Sequence, residues 1–202
     1  MEPGQENRYH ENEILVFIWE TIKVVFISLI IIIPIRYFLI QPFFVNGQSM
    51  EPNFEDKDYV IVNKLDYRLN KPQRGDVIVF LYPKDFEKGV RTYFIKRIIG
   101  MPGETVQVQD NKVIIYNMDF PDGMVLDESG YLASDQETRG SARLKLDPDE
   151  YFVLGDNRLH SSDSRSWGVL HSPLISGRAW LRLWPLSESG MVPRASYPEV
   201  NQ

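Results

Sequence analysis

Two side chains in this sequence have the types and surroundings for bond-breaking chemistry, Ser49 and Lys96. Ser49 lies in Val45-Asn46-Gly47-Gln48-Ser49-Met50-Glu51-Pro52. Gly47 frees the backbone just before it and Pro52 stiffens the chain just after. A serine so placed is ordinarily a turn residue. Lys96 gives it a second reading. The stretch Tyr93-Phe94-Ile95-Lys96-Arg97-Ile98-Ile99 reads as a strand. Alternation sets Phe94, Lys96 and Ile98 on one face and Ile95, Arg97 and Ile99 on the other. A strand lysine usually snorkels to water. One that is buried loses its proton more easily, because burial disfavours the ammonium by up to about 3–5 pKa units. Such an amine can take the proton of a serine hydroxyl, which activates a nucleophile without histidine.

A third stretch bears on the same chemistry, Gly155-Asp156-Asn157-Arg158-Leu159-His160-Ser161-Ser162-Asp163-Ser164-Arg165-Ser166-Trp167-Gly168. It follows the apolar run 151–154 and reads as a polar loop held by its own carboxylates, guanidinium groups and backbone amides. Asp163 and Arg165 are expected to pair near the site, and Ser161 to hydrogen-bond the Lys96 amine and aim it. His160 is the alternative base for Ser49, although a lone loop histidine is ordinarily solvated.

These residues must be positioned by one domain behind a membrane anchor. The chain has 202 residues and a net charge of −6, with no basic run, which argues against a nucleic-acid partner. Without cysteine there is no disulfide framework and no thiolate. His10, His160 and His171 show no metal-ligand spacing, so no metal or cofactor is expected. Residues 1–13 are polar and read as a disordered tail. Residues 14–40 read as a transmembrane anchor, with a span over 17–38 whose Lys23 and Arg36 snorkel toward the two interfaces. A cleaved signal peptide is the rival reading. The acidic flank and the lack of a small-x-small site after the apolar run weigh against it.

From Pro52 onward the pattern is β. Strands are expected at 58–64, 74–82, 91–99, 105–109, 113–116, 150–154 and 180–185, with 105–116 forming a hairpin about a short polar turn. Residues 117–146 lack a period and read as a variable insertion or loop within a domain spanning 41–202. The fold class is mainly β with a single N-terminal transmembrane helix.

Gly-x-Ser-Met-x-Pro after an anchor, then Lys-Arg-Ile-Ile-Gly-x-Pro-Gly-Glu, then Gly-Asp-Asn-Arg-x-x-Ser-x-Asp-Ser-Arg-x-x-Gly, closely resemble type I signal peptidases over residues 36–185. The resemblance implies a membrane-bound β-rich Ser-Lys peptidase that cuts signal peptides from exported preproteins after small-x-small motifs. It makes Ser49 the nucleophile and Lys96 the general base, with Ser161 orienting Lys96 and Asp163 and Arg165 supporting the site. It also implies a cytoplasmic N-terminus, a catalytic domain on the extracytoplasmic face, and the lipid bilayer as a partner. Lys96 resembles the bacterial and organellar branch. Some members carry a serine two residues before the nucleophile to help hold the oxyanion; Gly47 stands there, so backbone N–H groups such as that of Ser49 must do more. An extended substrate is expected to add to the strand edges at 43–46 and 93–95, with Phe44, Val45, Phe94 and Ile95 as pocket walls. Two rival readings are a self-cleaving Ser-Lys repressor, disfavoured by the membrane segment, and a non-catalytic membrane β-module.

Overall fold

The computed structural model describes residues 3–34, 40–133 and 136–197. The chain divides into two compact units, Met1–Ile40 and Gln41–Gln202.

In the first unit a single helix, α1, runs Pro3–Pro34. Residues 3–13 of the polar tail are therefore helical, against the expectation of disorder. Residues 5–33 contain neither Pro nor Gly, and a helix already nucleated by the apolar stretch gains one hydrogen bond for each residue it adds. Among the described residues the stretch able to cross a membrane is Leu15–Ile33, 19 residues, which begins two residues before the expected 17–38; residues 35–38 of that expectation lie outside the described residues. At about 1.5 Å per residue it spans roughly 28 Å, close to the thickness of a hydrocarbon core. Lys23 Nζ lies 2.6 Å from Glu20 Oε1 within the helix, and the hydroxyls of Thr21 and Ser28 donate to Phe17 O and Val24 O. Arg36 lies outside the described residues.

The second unit is built on strands β1 (Ile40–Phe44), β2 (Tyr59–Asn63), β3 (Val77–Leu81), β4 (Tyr93–Gly100), β5 (Thr105–Gln109), β6 (Lys112–Tyr116), β7 (Met124–Val125), β8 (Ala142–Lys145), β9 (Glu150–Leu154), β10 (Leu170–His171), β11 (Ile175–Trp184) and β12 (Gly190–Met191). One sheet has the order β1-β2-β11-β3-β4-β9-β10, with β12 on β11; the second has the order β7-β6-β5-β8. In the first sheet β3 (Val77–Leu81) and residues 151–154 of β9 read as unbroken apolar runs because both of their faces are covered, and β4 departs from that pattern only at Lys96 and Arg97. Ile78, Phe80, Ile98, Tyr151 and Val153 pack into one core. Ile99, Phe152 and Leu154 turn the other way and pack with Val106, Val108, Val113 and Ile115 of the second sheet. A third core gathers Val45, Met50, Phe54, Val60, Val77 and Ala179, with Ile95 against it.

The β5–β6 hairpin turns on Asp110 and Asn111, at φ 50° and 61°, the paired positive φ of a two-residue turn matched to strand twist. Residues 117–146 are not merely a loop. β7 pairs with β6 and β8 with β5, so this segment supplies both outer strands of the second sheet. Strands of two and four residues are too short to show a period. β11 also begins five residues before the expected 180–185, because Ile175-Ser176-Gly177-Arg178-Ala179 is too polar to read as a strand alone.

Candidate active site

β4 carries the lysine. Its N-terminal half is open on one side: β3 pairs with it from Leu81↔Tyr93 to Val77↔Arg97, whereas β9 joins only at Arg97↔Leu154. Tyr82 N donates to Thr92 O across the β3–β4 hairpin at 2.8 Å. By antiparallel alternation the backbone groups of Phe94 and Lys96 then face β3, and those of Tyr93 and Ile95 face the open side. Lys96 itself is 3% exposed. Its Nζ donates to Ser49 Oγ at 2.7 Å and to Ile95 O at 2.7 Å, and lies 5.3 Å from the Phe94 ring centre. Burial lowers its pKa to about 8, an effect that the nearby Asp163 and Asp156 partly oppose. A large part of this lysine is therefore neutral at mildly alkaline pH.

Ser49 is presented by a turn that two other elements grip. Gly47 sits at φ 89°, a left-handed conformation that a side chain would strain, and its N–H donates to Asp56 Oδ1 at 2.8 Å. Met50 and Phe54 are buried beneath the turn. From the other side, Asn157 N donates to Ser49 O at 3.0 Å and Asn157 Nδ2 to Gln48 O at 3.0 Å. Gly155 lies so close that a Cβ on it would stand 2.4 Å from Ser49 O and 2.2 Å from Ser161 Oγ.

The expected pair is present. Arg165 Nε and Nη2 donate to Asp163 Oδ1 and Oδ2, both at 2.8 Å, and Asp163 is fully buried. Asp163 also accepts from Gly155 N at 3.2 Å and caps the short helix Ser164–Trp167. Ser161 requires a correction. Its hydroxyl does not bond Lys96, whose described partners are Ser49 and Ile95. Wedged against Gly155, the buried Ser161 Oγ has no hydrogen-bond partner among the described residues. His160 does not reach Ser49; the hydrogen bonds of its ring and backbone go to Asn157.

Two ties that hold the site together were missed in the sequence. Arg97, on the face of β4 opposite Lys96, is buried with Asp156 at 2.9 Å (Nε to Oδ1) and 2.6 Å (Nη2 to Oδ2). An arginine inside an apolar strand requires a buried carboxylate, and an aspartate directly after an apolar strand was available to supply it. Asn157 left no comparable signal, because its partners are backbone carbonyls of residues far away in sequence.

Beside Ser49 and Lys96 lies a cleft of about 810 Å³, lined by residues 42–49 and 91–96 together with Val60, Val79, His160 and Ser162. Phe44, Val45, Phe94 and Ile95 all line it. Phe44 is 64% exposed at the rim and meets the Tyr59 ring in a tilted contact, centroids 4.7 Å apart, while Val45 is 4% exposed in the wall. Val45 N and O are paired with Asp58 O and Lys57 N, so alternation points the backbone of Phe44 to the other side of β1. β1 is the terminal strand of its sheet. Two strand edges thus border one cleft that ends at a hydroxyl and an amine. Among the described residues no three His, Asp or Glu side chains converge as a metal site.

The chain is similar to known proteins over most of its length. A sequence model of the signal peptidase family, peptidase S26, matches residues 18–184. A signal peptidase I from Leptolyngbya laminosa is 38% identical over 183 residues, covering 88% of this chain and 86% of that protein. A probable signal peptidase I-2 from a Synechocystis species is 37% identical over 172 residues, covering 84% and 75%. A crystal structure of a signal peptidase I from Enterococcus faecalis superposes with TM-score 0.42 at 30% identity, covering 54% of this chain and 97% of its own.

Proposed function

The chain belongs to the signal peptidase family, peptidase S26, a family of serine peptidases that cleave signal peptides from preproteins through a serine–lysine pair, and from that premise we propose that Ser49 is the nucleophile and Lys96 its general base. The observation that carries this assignment is the 2.7 Å separation of Lys96 Nζ from Ser49 Oγ, with the lysine 3% exposed. In the reactive state Lys96 is neutral and the hydrogen bond reverses. Ser49 Oγ gives its proton to Nζ as it attacks the scissile carbonyl carbon, and the negative charge moves to the carbonyl oxygen, which the Ser49 N–H meets. Collapse breaks the C–N bond, and the Lys96 ammonium returns its proton to the departing amine. A water molecule, deprotonated by Lys96, then attacks the acyl ester, and as the C–O bond to Ser49 breaks the Lys96 ammonium returns the proton to Ser49 Oγ.

The substrate is an extended segment lying between the open edges of β1 and β4, bonded to backbone groups of Phe44, Tyr93 and Ile95. Phe44, Val45, Phe94 and Ile95 shape shallow apolar walls, which suit small side chains at the first and third positions before the cut. The apolar helix associates the enzyme with a membrane. In this reading α1 is a single-pass anchor in the lipid bilayer, the N-terminus is cytoplasmic and the catalytic unit is extracytoplasmic. Asp163 and Arg165 support the loop that holds Ser49.

The test is cleavage of a synthetic peptide with alanine at the first and third positions before the cut, followed by mass spectrometry. The wild-type chain should cut directly after the more C-terminal of the two alanines, and Ser49→Ala and Lys96→Ala should be inactive while retaining wild-type circular dichroism. Cleavage by either variant removes that residue from the mechanism.

A further inference from the structure

Glu128 touches neither Ser49 nor Lys96, yet it stands at one end of an unbroken series of bonds that reaches the nucleophile. Its carboxylate accepts from Arg158 Nη1 at 2.7 Å and from Arg158 Nη2 at 2.5 Å, with the Arg158 side chain 0% exposed. Tyr131 Oη accepts from Arg158 Nη2 at 3.0 Å and donates to Glu128 Oε1 at 2.5 Å. Burial, and then the charge of Glu128, hold that phenol well above its ordinary pKa, so it stays protonated. Thr138 Oγ1 accepts from Arg158 Nη1. The fifth bond of the Arg158 side chain turns back to its own loop: Arg158 Nε donates to Gly155 O at 3.1 Å. Two residues further along, Asn157 N holds Ser49 O. A parallel tie runs from Arg165, whose Nη2 donates to Arg158 O and Nη1 to Arg139 O.

We infer that Glu128 is a positioning residue for the cleavage reaction, holding the Gly155–Asn157 stretch against the Ser49 carbonyl through Arg158. The inference rests on the assignment of Ser49 as nucleophile. Its physical basis is the cost of a buried guanidinium without its carboxylate. The neighbouring Asp156 cannot take over, because Arg97 and Asn53 already occupy its oxygens. Deprived of Glu128, Arg158 must move toward water, and Gly155 moves with it. Gly155 is packed at sub-van der Waals distance for any side chain against Ser49 O, so its displacement reaches the nucleophile directly. A shift of about 1 Å in a reacting group can cost about a hundredfold in rate. The substrate edges of β1 and β4 are not part of this series, so binding should survive.

The experiment compares Glu128→Gln, Glu128→Asp and Tyr131→Phe in the full chain in detergent, using the alanine-containing peptide to obtain kcat and KM, and thermal melting to check folding. Glu128→Gln should lower kcat by about ten- to a hundredfold with KM within about twofold of wild type, and Glu128→Asp, which keeps the charge, should recover most of the rate. Wild-type kcat in folded Glu128→Gln, a loss in KM alone, or equal losses in the Gln and Asp variants would overturn the inference. Should Glu128→Gln fail to fold, Tyr131→Phe decides: a lower kcat at unchanged KM supports the inference and wild-type kcat overturns it. A wild-type chain that leaves the peptide intact, or a Ser49→Ala chain that cuts it, would defeat the site assignment and this inference together, and no Glu128 variant is needed to see either.

Discussion

At the scale of single residues, the decisive property is the protonation of Lys96. A free lysine titrates near 10.4 and is protonated at neutral pH, so it cannot act as a base there. With the pKa lowered to about 8, the neutral fraction grows as pH rises through that value. The ratio kcat/KM should therefore climb with pH, with a midpoint near 8 in the free enzyme. A midpoint at about 10 or above would mean a solvated lysine. Lys96→Arg should be inactive at every pH tested, since a guanidinium keeps its proton, and activity in that variant would end the general-base role. Asp163 is the second residue with a clear expectation. It is fully buried between Arg165 and the Gly155 amide, so Asp163→Ala leaves both donors unmet and should cost about 3–5 kcal/mol of stability. Thermal melting checks it, and an unchanged melting temperature would contradict the structural role.

At the scale of elements, three pieces converge on one point: the turn that presents Ser49, the open half of β4, and the loop after β9. The tightest joint is between Gly155 and the Ser49 carbonyl. A methyl group on Gly155 would meet backbone oxygen at 2.4 Å, and backbone cannot give way as a flexible side chain can. Gly155→Ala should therefore push the turn out of register with Lys96 and lower kcat by about tenfold or more, by the same positional sensitivity that makes small displacements of reacting groups costly. Steady-state kinetics on the peptide would register it. Full activity would show that the turn and loop can separate without consequence.

At the scale of the whole chain, the separation into Met1–Ile40 and Gln41–Gln202 implies a division of labour. All the residues assigned to chemistry belong to the second unit. Deleting residues 1–38 should leave a folded protein that cuts a short soluble peptide at close to the wild-type rate. It should act poorly on a preprotein held in lipid vesicles, because an anchor raises effective concentration by confining enzyme and substrate to one surface. Parallel assays on the two substrates test this. Loss of both activities would make the helix part of the site.

The amino-acid sequence by itself determined what is local. The apolar run declares by its length a helix able to cross a membrane, and the alternation in 93–99 separates Lys96 from Arg97 correctly. The positive-φ turn at Asp110-Asn111 and the Asp163–Arg165 pair are readable because each is set by residues within a few positions of one another. What the order of residues could not contain was distance between remote segments. That Lys96 meets Ser49, that Asp156 neutralises Arg97, that Asn157 holds Gln48 and Ser49 by their carbonyls, and that residues 117–146 finish a sheet and pin Arg158 are all consequences of packing. The Ser161 hydroxyl, expected on the lysine, shows the same boundary: its type suggested a partner, but the packing of Gly155 against Ser49 decided where it lies. Hydrogen-bond capacity is a property of a residue. Which groups come within about 3 Å is settled only when the cores on both faces of the large sheet close and bring distant strands into register.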